Sequence, residues 1–225
     1  MSEKGNQAVK TVSFMMLITL FGKILGMVRE QLLAANYGTD MQAAAFLLAS
    51  RIPRTFFDVI FASAISASFI PVFVEYLQKK GRQEAFSLAN RFITMISTVT
   101  LLMMLLGMAF AKPLTLLIAP GYDVETVTLC VGLLRMLFPT MLFTAVAFSF
   151  VGILQSLEEF NVPAALSVVS NGVLILYYIF FNEKFGILGL TAAFLIGWAM
   201  QAVIQIPSLW RKGYHYRPDF HFKDD

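Results

Sequence analysis

Arg51, Arg54 and Asp58 stand at i, i+3 and i+7 inside an apolar stretch. At about 100° per residue all three share one helical face. Arg54 and Asp58 are four residues apart and can pair within the helix, which leaves this face one cation in excess. Pro53 lies among them, removes a backbone hydrogen bond and is expected to kink the chain; Pro71 is expected to do the same further on. Upstream, Gly22-Lys23-Ile24-Leu25-Gly26 is a GxxxG pattern. Thr19, Gly22, Gly26 and Arg29 form one stripe, whose small residues let a neighbouring backbone approach closely. Lys23 is offset by about 100° from the Gly22 direction. Arg135 lies one turn before Pro139. Arginine and lysine offer charge and several donors in the geometry phosphate needs. The chemistry these residues can do is therefore anion binding, with Arg29, Arg51, Arg54, Lys23 and Arg135 as candidate ligands and Asp58 as an ion-pair or gating partner.

Other chemistries find no support. There is no Walker-type glycine loop, no nucleophile with a base partner and no pair of carboxylates within the apolar segments, so no catalytic residue is expected. Cys130 is the single cysteine and forms no disulfide framework. His215 and His221 lie in the polar tail, and no Cys/His cluster suits a metal. The methionines and phenylalanines read as core or bilayer-facing residues, not a cofactor box. No cofactor and no nucleic-acid partner is expected.

The elements that must position these charges are membrane helices. Of 225 residues, 58% are hydrophobic and only 14% charged, and the mean hydropathy is +0.72. A soluble domain carries about 25% charged residues. Disorder is excluded as well, because 22 Phe could not stay solvated. The runs Phe92–Ala111, Met136–Leu157, Phe160–Asn182 and Phe185–Trp210 contain no Asp, Glu, Lys or Arg. Each reaches the roughly 20 residues needed to cross the hydrocarbon core. The expected fold class is all-α, a polytopic bundle of six transmembrane helices near Ala8–Ala35, Gln42–Gln78, Glu84–Lys112, Val124–Leu157, Pro163–Phe181 and Ile187–Arg211.

Punctuation supports this division. Asn36-Tyr37-Gly38-Thr39-Asp40 reads as a turn, Lys79-Lys80-Gly81 as a helix end, and Ala119-Pro120-Gly121-Tyr122-Asp123 as a loop whose Asp123 caps the fourth helix. The first helix resembles a signal peptide in outline, but no A-x-A-like cleavage site follows it and it is read as retained. The stretch Ala62–Ser68 is rich in small residues and is expected to pack tightly.

With six spans, one side holds Lys4, Lys10, Lys79, Lys80, Arg82, Arg211, Lys212, Arg217 and Lys223; the other holds only Lys112 and Lys184. The positive-inside rule then places both termini in the cytoplasm. A charge at mid-bilayer costs at least about 2.5–3.5 kcal/mol, so intramembrane cations face protein or a water-filled cavity. Five such cations against one acid imply an anionic cargo or a voltage-sensitive element, and their setting in membrane helices fits a pocket for a lipid bearing phosphate or pyrophosphate.

Several segments, in the same order along the chain, resemble the lipid II flippase family (MurJ/MviN). They are Gly22-Lys23-Ile24-Leu25-Gly26-Met27-Val28-Arg29-Glu30, Ser68-Phe69-Ile70-Pro71-Val72-Phe73-Val74-Glu75-Tyr76, Ala119-Pro120-Gly121-Tyr122, Val151-Gly152-Ile153-Leu154-Gln155 with Val162-Pro163-Ala164, and Gln205-Ile206-Pro207-Ser208-Leu209. That family belongs to the multidrug/oligosaccharidyl-lipid/polysaccharide (MOP) exporter superfamily. The resemblance implies alternating access between two six-helix lobes around a cationic cavity. The cargo would be an anionic undecaprenyl-linked peptidoglycan precursor, flipped from the inner to the outer leaflet of the bacterial inner membrane. In that pattern Arg29 matches the first-helix arginine and Lys23 a basic position of the same helix.

The sequence departs from the pattern at Ala44, where an acid is common, at Phe57, where an arginine is common, and at Ala62-Ser63, which replaces a Glu-Gly pair. Arg51 or Arg54 can supply the missing cation from one to two turns earlier. Only the first lobe is matched: residues 1–213 read as that six-helix lobe and 214–225 as a cytoplasmic polar tail or linker. A second six-helix lobe, or a second copy, is the expected protein partner alongside the lipid bilayer. The alternatives are an exporter of another polysaccharide-linked lipid in the same superfamily, or a non-transporting membrane scaffold.

Overall fold

The computed structural model describes residues 2–38 and 40–220. Thr39, His221 and Lys223 lie outside the described residues. Six helices there are long and apolar enough to cross a membrane: Val12–Tyr37, Met41–Lys79, Arg82–Ala109, Val124–Ser156, Asn161–Phe180 and Asn182–Arg211. They are numbered here as the first to sixth spans. The all-α membrane bundle expected from the charge-free runs is the architecture observed, and no strand occurs among the described residues. Polar side chains inside the spans are accommodated by their own helices. The hydroxyls of Thr94, Thr100, Thr144, Ser149 and Thr191 each donate to the carbonyl four residues back, which spares them an unpaired donor in an apolar setting.

The connections follow from local chemistry. The first span turns at Gly38, with a φ of 56°. Gly81 ends the second span with a φ of 90°. Asp123 caps the fourth span by accepting from the amides of Glu125 and Thr126 at 3.1 and 3.2 Å. The Thr126 hydroxyl also donates to it, and these bonds hold the Asp123 carboxyl below its ordinary range.

Four spans are less regular than their sequences imply. The second span continues as α-helix through Pro53 to Phe57 (Met41–Phe57), and the irregularity comes afterwards as two wide π-turns, Asp58–Ala62 and Ile65–Phe69. Pro71 then lies in the first turn of Ile70–Lys79, where its missing N–H is tolerated. The expected single helix Glu84–Lys112 is broken at Phe110, and Ala111–Ile118 is a separate helix. Pro113 cannot donate to the Ala109 carbonyl, so the ladder has no continuation there. The fourth span divides at Pro139 into Val124–Leu137 and Thr140–Ser156. The sixth begins at Asn182, ahead of the expected Ile187, and bends at Gly186, whose φ of 53° and ψ of −145° favour glycine.

The fourth span is the central post. In its most apolar window 67% of residues are buried, against 6% in that of the first span. Cys130, Leu133, Leu134, Leu137, Ile153 and Leu154 are fully enclosed, and the second, third and sixth spans pack around them. The first span instead lies almost wholly against the fifth, which in turn packs on the sixth. At the crossing of the first and fifth spans, a Cβ added to Gly22 would overlap the Ser167 hydroxyl, and one at Gly26 would sit 3.5 Å from Asn171 Nδ2. Phe69 stacks on Phe92 at 4.2 Å and joins the second span to the third. The result is two packed groups, spans one and five against spans two, three and four, bridged by the sixth.

Candidate functional site: a cationic cavity between the two groups of spans

A cavity of about 690 Å³ lies where the two groups of helices diverge. It runs from Gln155, Phe160 and Pro163 at the connection of spans four and five down to Arg29, Ser50 and Leu174. The third span contributes nothing to its wall. Beyond Arg29 the bundle closes over Leu33, Tyr37, Phe46, Tyr178 and Leu190, all buried. Tyr37 Oη donates to Asn182 Oδ1 at 2.5 Å and Asn182 Nδ2 donates to Asn36 Oδ1 at 2.8 Å, tying the first span to the start of the sixth at that end.

Arg29, Arg51 and Arg54 line this cavity together with one acid, Glu30. Each arginine has a different degree of neutralisation. Arg29 is about one-third exposed, is paired with Glu30, and donates from Nη1 to Asn171 Oδ1 at 3.1 Å. Asn171 is buried and its Nδ2 donates to the Gly22 carbonyl at 3.1 Å. The fifth span thus fixes both the glycine seam and the guanidinium of the first. Arg54 Nε lies 3.4 Å from Asp58 Oδ2, and its guanidinium sits over the Trp198 ring at 5.7 Å. Arg51 has no hydrogen-bond or ion-pair partner among the described residues. A cation left unpaired inside a span needs water or an anion. The lining carries a net charge of +2, and guanidinium groups suit a multivalent oxyanion because they supply charge and paired donors.

Two of the expected cationic ligands lie elsewhere. Lys23 is exposed and belongs to a shallow groove on the first span with Val12, Met16 and Leu20, which shares only Met15 and Thr19 with the cavity. Its angular offset from Gly22 carries it past the seam. Arg135 is corrected more strongly: its Nε donates to the Met108 carbonyl at 3.2 Å, at the broken end of the third span. A cation there neutralises the C-terminal end of the helix dipole and satisfies a carbonyl left over by the break. Neither Asn171, Gln201 nor Trp198 was singled out from the sequence, yet all three line the cavity. The available signal was an amide within an otherwise apolar run, which must find a partner in the membrane interior.

Comparison with known proteins bears on this arrangement. The family model described as lipid II flippase MurJ matches residues 33–225. The chain belongs to the lipid II flippase MurJ family. The probable lipid II flippase MurJ of Buchnera aphidicola subsp. Acyrthosiphon pisum is 30% identical over 212 residues, which cover 92% of this chain and 42% of that protein. The lipid II flippase MurJ of Burkholderia cenocepacia is 26% identical over 195 residues, 85% of this chain and 38% of that one. A solved structure of lipid II flippase MurJ in an inward closed conformation superposes with a TM-score of 0.75 at 26% identity, covering 90% of this chain and 42% of that chain. A MOP superfamily transporter from Pyrococcus furiosus shares the fold, with a TM-score of 0.73 at 14% identity. The chain spans about two fifths of the length of the MurJ relatives it matches.

Proposed function

We propose that this chain is the N-terminal lobe of a lipid II flippase. Residues 1–213 form the lobe, and 214–225 are a cytoplasmic tail or linker. A second six-helix lobe, or a second copy acting in its place, covers the open side of the cavity. The cargo is the anionic undecaprenyl-linked peptidoglycan precursor, and its pyrophosphate is held by Arg51 and Arg54 of the second span and Arg29 of the first. Each guanidinium can present two parallel donors to phosphate oxygens. Alternating access then moves the headgroup between leaflets of the bacterial inner membrane. In superfamily members built this way the lobes are parallel repeats that rock around a fixed site. The chain acts as a transporter and not as an enzyme.

The observation that carries this reading is the unpaired Arg51 beside Arg54 and Arg29 in a cavity within the spans of a MurJ-family chain. The ratio of nine basic residues to two supports a cytoplasmic location for both termini.

The test is complementation of bacteria depleted of their own lipid II flippase, using this chain joined to the second lobe of a MurJ relative. Rescue of growth is expected. The double substitution R51A/R54A in that protein should lower lipid II translocation by roughly a hundred-fold, since each charge-assisted hydrogen bond is worth about 1.5–3 kcal/mol. Failure of the joined protein to rescue would sink the lipid II assignment. Full activity of the double variant would remove these arginines from the site.

A further inference from the structure

A second concavity, of about 200 Å³, lies between the second, third and fourth spans. Its lining is wholly apolar and includes Phe56, Leu106, Gly107, Phe110, Phe138 and Met141. Gly107 is needed for its floor, because a Cβ there would overlap the Phe138 ring. The groove is on the far side of the second span from the cationic cavity: Phe56 is two residues, or about 200°, from Arg54. It therefore belongs to the outer wall of the lobe, against the bilayer.

The groove has a charged rim. Arg135 stands three positions before Phe138, and its Nε is bonded to the carbonyl of Met108, the residue after Gly107. Its side chain is exposed, and its two terminal nitrogens have no partner among the described residues. Lys112 lies in the chain between the lining residues Phe110 and Leu114. No carboxylate pairs with either cation among the described residues. An exposed guanidinium within a span, with four donor hydrogens unused, calls for an oxyanion. The apolar trough beside it calls for a hydrocarbon chain.

We propose that this groove binds one acyl chain of an anionic phospholipid from the surrounding bilayer, with the lipid phosphate on Arg135. The flipped cargo is not its occupant, because the second span separates the groove from the cationic cavity. Arg135 so placed joins a lipid phosphate to the broken end of the third span, and the bound lipid becomes part of that junction.

The experiment reconstitutes the full chain in vesicles of phosphatidylethanolamine and phosphatidylglycerol, each lipid in turn carrying a photoreactive diazirine in its acyl tail. Labelled peptides are mapped by mass spectrometry. The phosphatidylglycerol probe is expected to label the peptides around 103–114 and 138–141 in preference to the phosphatidylethanolamine probe. Excess unlabelled phosphatidylglycerol should suppress that labelling. Arg135→Gln, whose amide can still donate to the Met108 carbonyl, should reduce it by about ten-fold. Leu106→Trp should block the groove to both probes. Equal labelling by the two probes in the unaltered chain, or labelling spread evenly over the exposed faces of the first and third spans, would overturn the proposal. So would an Arg135→Gln chain that melts like the parent and labels as strongly. The competition arm requires no variant and decides the question even if a substituted chain fails to fold.

Discussion

At the scale of single residues, burial of a neutral amide decides how a charge is held. Asn171 touches both the Gly22 carbonyl and Arg29. Replacing it with leucine leaves a buried carbonyl and a guanidinium short of a partner. Asn171→Leu is expected to destabilise the lobe by about 1–3 kcal/mol, read as a lowered thermal midpoint, and to weaken anion binding with it. The contrasting case is Asp58. Its pair with Arg54 is half exposed on both sides, so Asp58→Asn should change stability by less than about 1 kcal/mol. The same substitution raises the net charge at the cavity and should tighten binding of pyrophosphate, measurable by isothermal titration. Arg51 and Arg54 were legible as a site because charges inside an apolar run demand an explanation. Asn171 carried a weaker form of the same signal, and an uncharged amide is easily passed over. The location of Arg135 was not legible: periodicity fixes a residue's angle on its own helix, but its neighbour here is a carbonyl freed by a break 27 positions earlier.

At the scale of elements, the six spans and most turns follow from charge-free runs and from glycine, proline and aspartate between them. The internal breaks do not, because a proline in a membrane helix can be absorbed or can end the helix, and neighbours decide which. Pro53 is absorbed within Met41–Phe57, whereas Pro113 and Pro139 stand beside breaks. Gly22→Val is expected to force the first and fifth spans apart, lowering stability by about 1–3 kcal/mol as overpacking does. A cysteine pair across this crossing would then cross-link more slowly.

The tail is another element whose seat was hidden in the sequence. After Gly213, Tyr214 is buried and donates to Asn90 Oδ1 at 2.8 Å. Tyr216 meets the Thr94 hydroxyl at 3.0 Å, and Arg91 Nε donates to Asp219 at 3.2 Å. Residues 214–220 are thus clamped along the start of the third span. Burial pushes the Tyr214 phenol well above its ordinary range. A raised folded pKa in an acid means the clamp is intact below the unfolded value, about 10, and weakens as pH rises beyond it. Hydrogen exchange at 90–94 and 214–220 should therefore accelerate above about pH 10, and this alkaline step should be absent in Tyr214→Phe.

At the scale of the whole molecule, the lobe is two groups of helices that diverge at one end and are tied at the other. Single cysteines placed at the connections near Gly81 and Glu158 should react with a membrane-impermeant thiol reagent from the cytoplasmic side, and one at Asn182 from the opposite side. The reverse pattern would invert the proposed topology. The tied end has an electrical meaning. Water filling the cavity carries the potential of its own side as far as Arg29. The transmembrane voltage then falls across the packed stretch from Arg29 to Tyr37, roughly 12 Å at 1.5 Å per residue. In the proposed flippase, a pyrophosphate resting on Arg29 would have crossed almost none of the field. Each of its charges has about 2.3 kcal/mol per 100 mV still ahead of it, concentrated in the few side chains behind the Tyr37–Asn182 tie.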